Sequence, residues 1–172
     1  GKSTALDWLK SMNFAVLCGY NFQNLIHESG HALAALALYK NPRPIIQLNP
    51  FGGGLTQFYK TGLCGLGKKI GPSAATCLVI ASGPGLTLLV SGALLATGIG
   101  IRQKHPLLSK YLISWSLLDF FRHADYAFSA IRADGWVLAH DFVHLSVFGY
   151  HPIAMAVGIA AIPVIISLGM LS

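Results

Sequence analysis

Two histidines and a glutamate stand close together in this chain, in His27-Glu28-Ser29-Gly30-His31. The spacing is that of an HExxH motif. Residues four apart share one face of a helix, so both imidazoles can reach one tetrahedral metal ion, normally zinc. Glu28 follows the first histidine directly and is placed to take a proton from a metal-bound water. It is also the only glutamate in the 172 residues, which fits a carboxylate kept for chemistry rather than for solubility.

A hydrolytic zinc needs three protein ligands and an open position for water, so a third ligand must come from elsewhere. A later polar stretch offers several. Asp134 precedes a glycine at an expected helix start, where a carboxylate is easily presented. Asp119, His123 and Asp125 lie in the same region, and the HxxxH pair His140 and His144 repeats the one-face spacing of the first pair. That second pair opens an alternative, a membrane metal oxygenase using His27, His31, His140 and His144. Such a centre generally wants about eight histidines in several clusters, and this chain has seven, scattered. A metal-binding membrane protein that cleaves nothing is a further alternative.

The elements that carry these residues are apolar. Hydrophobic residues make up 53% of the chain and charged residues 10%, against about 25% charged in a soluble domain. Most of the chain therefore has little polar surface to offer water, and the expectation is a multi-pass integral membrane protein. Ionisable groups inside such segments are costly in lipid, which favours a functional role for the HExxH residues. The net charge of +6 comes largely from Lys40, Arg43, Lys60, Lys68, Lys69, Arg102, Lys104 and Lys110, which lie between apolar segments or, for Lys110, near the start of one. Basic residues at such positions suit contact with anionic lipid headgroups. No basic patch interleaved with aromatics is present, so nucleic acid is not an expected partner. Basic residues are balanced between the two sides of the expected topology, which leaves orientation undecided. Oligomeric state is not legible either. The three cysteines are odd in number and match no metal-ligand spacing, so no disulfide framework is expected. No cleavable signal peptide is expected.

Apolar runs at about 13–39, 73–101, 107–131 and 152–171 predict four spanning helices, with a short or re-entrant helix after Asp134-Gly135. Ala32, Ala34, Ala35 and Ala37, after the motif, predict close approach of a neighbouring helix. Asn24 lies one turn before the motif and can hydrogen-bond around it. Asn41-Pro42-Arg43-Pro44 ends the first helix, and residues 45–48 and 55–59 read as two short strands around Gly52-Gly53-Gly54. Gly83-Pro84-Gly85 is expected to kink or open the second spanning helix. The predicted fold is thus an all-α polytopic bundle with a small β-hairpin, forming one integral-membrane domain over 1–172 with a hairpin insertion at about 41–71.

With HExxH in a first apolar helix and an Asp-Gly far downstream, the chain resembles the site-2 protease group of intramembrane zinc metalloproteases, the M50 peptidase family, and in particular its shorter M50B-like members. His27-Glu28-Ser29-Gly30-His31-Ala32 is similar to the zinc helix of that family. Asn49-Pro50-Phe51-Gly52-Gly53-Gly54-Leu55-Thr56 is similar to its glycine-rich hairpin, Ala81-Ser82-Gly83-Pro84 to its small-Gly-Pro element, and Asp134-Gly135-Trp136 to its Asp-Gly. The family commonly has an Asn and prolines shortly before that Asp-Gly. Residues 125–133 contain neither, which keeps Asp125 as a rival.

The resemblance implies one Zn2+ per chain held by His27, His31 and Asp134, with Glu28 as the base. It implies hydrolysis of a peptide bond in a transmembrane or membrane-proximal protein substrate. A helical substrate must be unwound to expose its carbonyls, and the hairpin is the candidate for holding the unwound strand.

Overall fold

The computed structural model describes residues 5–49, 53–133 and 140–171. Among them the chain forms six helices and a two-stranded sheet. In order these are α1 (Ala5–Leu38), β1 (Ile45–Asn49), β2 (Gly53–Gln57), α2 (Gly65–Ile70), α3 (Pro72–Ile101), α4 (Pro106–Ser129), α5 (Asp141–Val147) and α6 (Pro152–Leu171). Proline opens α3, α4 and α6, where its missing N–H costs nothing and its fixed φ suits the first turn.

Among the described residues, two of the expected four spans are long and apolar enough to cross a membrane, α3 with 30 residues and Pro152–Met170 of α6 with 19. The other two long helices fall short for a chemical reason. The apolar run of α1 is diluted by Asn21, Gln23, Asn24, His27, Glu28 and His31. That of α4 is diluted by Lys110, Asp119, Arg122, His123 and Asp125. Helix α1 also begins earlier than its apolar run, at Ala5. The expected opening of the second span at Gly83-Pro84-Gly85 is not a break, for α3 runs through Pro84 as one helix.

The chain divides into two compact units, to which both α1 and α3 contribute. One comprises residues 21–87 and 133–150. Its core is Leu38, Tyr39, Ala75 and Val79, with Ala34, Phe58 and Leu63 against them. Ala32 and Ala35 are buried, as close helix packing predicts, whereas Ala37 is exposed. The connection after α1 is tied back to that helix. Cys64 N–H donates to the Leu38 carbonyl at 3.0 Å and Lys40 N–H to that of Gly62 at 2.8 Å. Gly67 lies so close to the Leu38 carbonyl that a Cβ there would collide with it. β1 and β2 pair antiparallel with Ile46 opposite Thr56 and Leu48 opposite Gly54. Cys64 and Cys77 are free thiols.

The other unit comprises residues 1–20, 88–132 and 151–172. Here α4 packs against α6, and small or polar residues set the spacing of α3 and α4. Ser109 Oγ donates to the Gly98 carbonyl at 2.7 Å. Ser91 Oγ donates to Asp119 Oδ2 at 2.5 Å. The other carboxylate oxygen of Asp119 lies 3.3 Å from His123 Nδ1. Asp119 and His123, both considered as metal ligands from sequence, are thus buried partners of each other in this unit.

The close approach at Gly98 gives a stability prediction. A Cβ there would stand 2.8 Å from Ile113 Cγ1 and 3.2 Å from the Ser109 carbonyl oxygen. Gly98→Val should destabilise by about 1–3 kcal/mol through overpacking, outweighing a helix-propensity gain under about 1 kcal/mol. Thermal unfolding of the detergent-solubilised protein should show a lowered midpoint. An unchanged or raised midpoint would refute the close α3–α4 packing.

Candidate metal centre

Helix α1 brings His27 and His31 onto one face, as the four-residue spacing requires. Their Nε2 atoms lie 3.2 Å apart. Asp141, the first residue of α5, completes the group. Its Oδ2 is 2.8 Å from His27 Nε2 and its Oδ1 is 3.4 Å from His31 Nε2. Among the described residues this is the one group of three histidine, cysteine or acidic side chains whose ligand atoms lie close enough together to hold a metal ion.

The dimensions suit a tetrahedral ion. Two nitrogens each bound at 2.0–2.1 Å with a tetrahedral angle between them are separated by about 3.3 Å, close to the separation seen here. Two imidazoles and one carboxylate are also the donor set of hydrolytic zinc sites, and they leave a fourth position for water or substrate.

Each ligand is oriented by what lies behind it. His31 Nδ1–H donates to the Val79 carbonyl at 2.7 Å, which orients the ring and turns Nε2 toward the site. That carbonyl lies in the turn of α3 just before Pro84, and it also accepts from Ser82 Oγ at 2.6 Å. Helices α1 and α3 approach closely here because two positions carry no side chain. A Cβ on Gly30 would strike the Ser82 carbonyl group, and a Cβ on Gly83 would strike the His31 imidazole. The Gly83-Pro84 element therefore acts as a bare surface against a ligand.

Asp141 sits in the first turn of α5, where the helix dipole favours a negative charge. Burial would raise its pKa, but hydrogen bonds from His27 and His31 outweigh burial and hold the carboxyl well below the usual carboxylate range. It is therefore ionised, as a metal ligand must be. His140 caps the same helix, its Nδ1 accepting from Val143 N–H at 3.4 Å. Burial, the largest influence, pushes the His140 pKa down.

Glu28 is 5% exposed. Its carboxylate meets strand β2, where Thr56 Oγ1 stands 2.6 Å from Glu28 Oε2 and 2.9 Å from the Glu28 carbonyl oxygen.

The sequence expectations divide cleanly here. His27, Glu28 and His31 lie together at this centre. Asp134 lies outside the described residues. Asp119 and His123 belong to the other unit, as does Asp125. His140 and His144 are not in the ligand group. Asp141 was missed, although its signal was present: it is the acidic residue inside His140-Asp141-Phe142-Val143-His144, where attention falls on the two histidines.

A metal assay tests the assignment. After incubation with Zn2+, Asp141→Ala and Gly83→Val should each retain far less metal than the unsubstituted protein, whereas Asp134→Ala should retain as much. Loss in Asp134→Ala with retention in Asp141→Ala would reverse the assignment of the third ligand. Comparison of the chain with family models, with curated proteins and with solved structures returns no match.

Proposed function

We propose that this chain is a zinc-dependent endopeptidase of the membrane, acting on transmembrane or membrane-proximal protein substrates in the manner of the site-2 proteases it resembles. The observation that carries the reading is the convergence of His27, His31 and Asp141 beside a buried glutamate, the only one in the chain. Two apolar helices long enough to span a bilayer support the membrane setting.

His27, His31 and Asp141 would hold a zinc ion, which would supply Lewis acidity toward the scissile carbonyl and toward the attacking water. The remaining work falls to the protein. Glu28 takes the proton of the attacking water and returns it to the leaving amine. Glu28 is buried, with its carboxylate against β2. Asp141 balances positive charge at the site. Strands β1 and β2 form a two-stranded sheet with edges to spare, and an unwound substrate segment can extend such a sheet by backbone pairing.

The reading separates from its rivals in two measurements. Glu28→Gln should reduce cleavage of a membrane-protein substrate by on the order of 100-fold or more, the range of lost acid–base catalysis, while zinc content stays at one per chain. Turnover unaffected by the substitution would sink the peptidase mechanism. Iron at two per chain in the purified protein would favour the oxygenase instead. Removal of the metal by a chelator should abolish activity, and added Zn2+ should restore it.

A further inference from the structure

We propose that Thr56 is the positioning residue of Glu28, and that strand β2 is built as a seat for that one carboxylate. The inference rests on the peptidase reading for its catalytic meaning, but its structural content stands on separate observations.

Side chains alternate along a strand, so Gly54 and Thr56 share one face of β2. Both meet Glu28. At position 54 a Cβ would stand 2.5 Å from Glu28 Cγ and 2.8 Å from Glu28 Oε1, so only glycine leaves room for the carboxylate. Two residues on, Thr56 offers the hydroxyl. Its 2.6 Å separation from Oε2 lies in the range of a short O–H···O⁻ hydrogen bond, roughly 2.5–2.7 Å. The same hydroxyl reaches the Glu28 backbone carbonyl at 2.9 Å. With one proton to give, it donates chiefly to the nearer, charged oxygen and references the side chain to its own helix backbone.

The consequence is a base of fixed direction. A glutamate has three rotatable bonds, and a carboxylate free to turn spends part of its time aimed away from the reacting water. The bare position at Gly54 admits the carboxylate to β2, and the hydroxyl at Thr56 selects its rotamer. The Thr56 hydroxyl bonds Glu28 rather than His27, His31 or Asp141, so its effect should fall on turnover rather than on metal binding.

The lone glutamate makes the test direct. Protein grown with 13C-labelled glutamate carries one labelled carboxylate per chain, so its Cδ resonance and carboxylate stretch report on Glu28 alone. In the full-length, zinc-loaded protein at fixed pH, Thr56→Val should shift that signal, and Thr56→Ser should restore it. With fluorescein-labelled casein as probe, Thr56→Val should lower kcat by on the order of 10- to 100-fold, with KM and zinc content unchanged. Thr56→Ser should recover most of that loss.

Should Thr56→Val fail to fold, Gly54→Ala gives the same answer by displacing the carboxylate, with a shifted glutamate signal and zinc retained. A glutamate signal at the wild-type position in Thr56→Val or Gly54→Ala overturns the proposal. So does a Thr56→Ser protein as impaired as Thr56→Val, which would make the threonine a packing residue. A wild-type protein that fails to cleave casein, and every membrane substrate tried, would count against the peptidase reading alone, for the spectroscopic arm needs no turnover.

Discussion

A carboxylate held between two imidazoles is the interaction around which the unit of residues 21–87 and 133–150 is arranged. An ionised carboxylate largely removed from water needs partners close by. His27 and His31 are those partners, from a helix more than a hundred residues earlier in the chain. The pairing therefore draws α5 onto α1 across a long sequence separation. Helix α3 braces the same group from behind through the Val79 carbonyl, and β2 closes over the neighbouring glutamate.

Three glycines carry much of this arrangement by what they lack. Gly30 lets α1 settle on α3 at Ser82, Gly83 lets α3 approach the His31 ring, and Gly54 admits the Glu28 carboxylate to β2. In each case the neighbour is either a backbone carbonyl group or a side chain of the site. The nearby backbone is fixed by helical hydrogen bonding, so a methyl group at these positions has nowhere to go except by moving the chemistry. Position-specific tightness of this kind marks the site as packed around its polar groups rather than lined with them.

Much of the local structure is legible in the sequence, and the reasons are physical. The apolar runs predict α3, α4 and α6 to within a few residues, because proline stands at the first helical position of each. The hairpin follows from short β-prone runs around glycine, although Gly53 and Gly54 belong to the second strand rather than the turn. His27, Glu28 and His31 are legible because a fixed spacing on one helix determines geometry locally. Asp141 is not legible in that way. Its selection depends on which distant segment the chain folds against α1, and no local periodicity encodes that. Asp119 and His123 show the converse error of reading from polarity alone. They are buried ionisable groups in an apolar helix, where Asp119 accepts from Ser91 and His123 bonds the Asp119 backbone carbonyl.

The hairpin register has a consequence for control of the site. Thr56 faces Glu28 only while β2 pairs with β1 in the alignment that sets Ile46 opposite Thr56. A slip of one residue would turn the other face of β2 inward, because side chains alternate with a period of two. Leu55, a hydrocarbon, or Gln57, a longer amide, would then stand where the hydroxyl stands now. The register of ten paired backbone residues is thus what sets a hydroxyl, rather than a hydrocarbon or an amide, against the one glutamate.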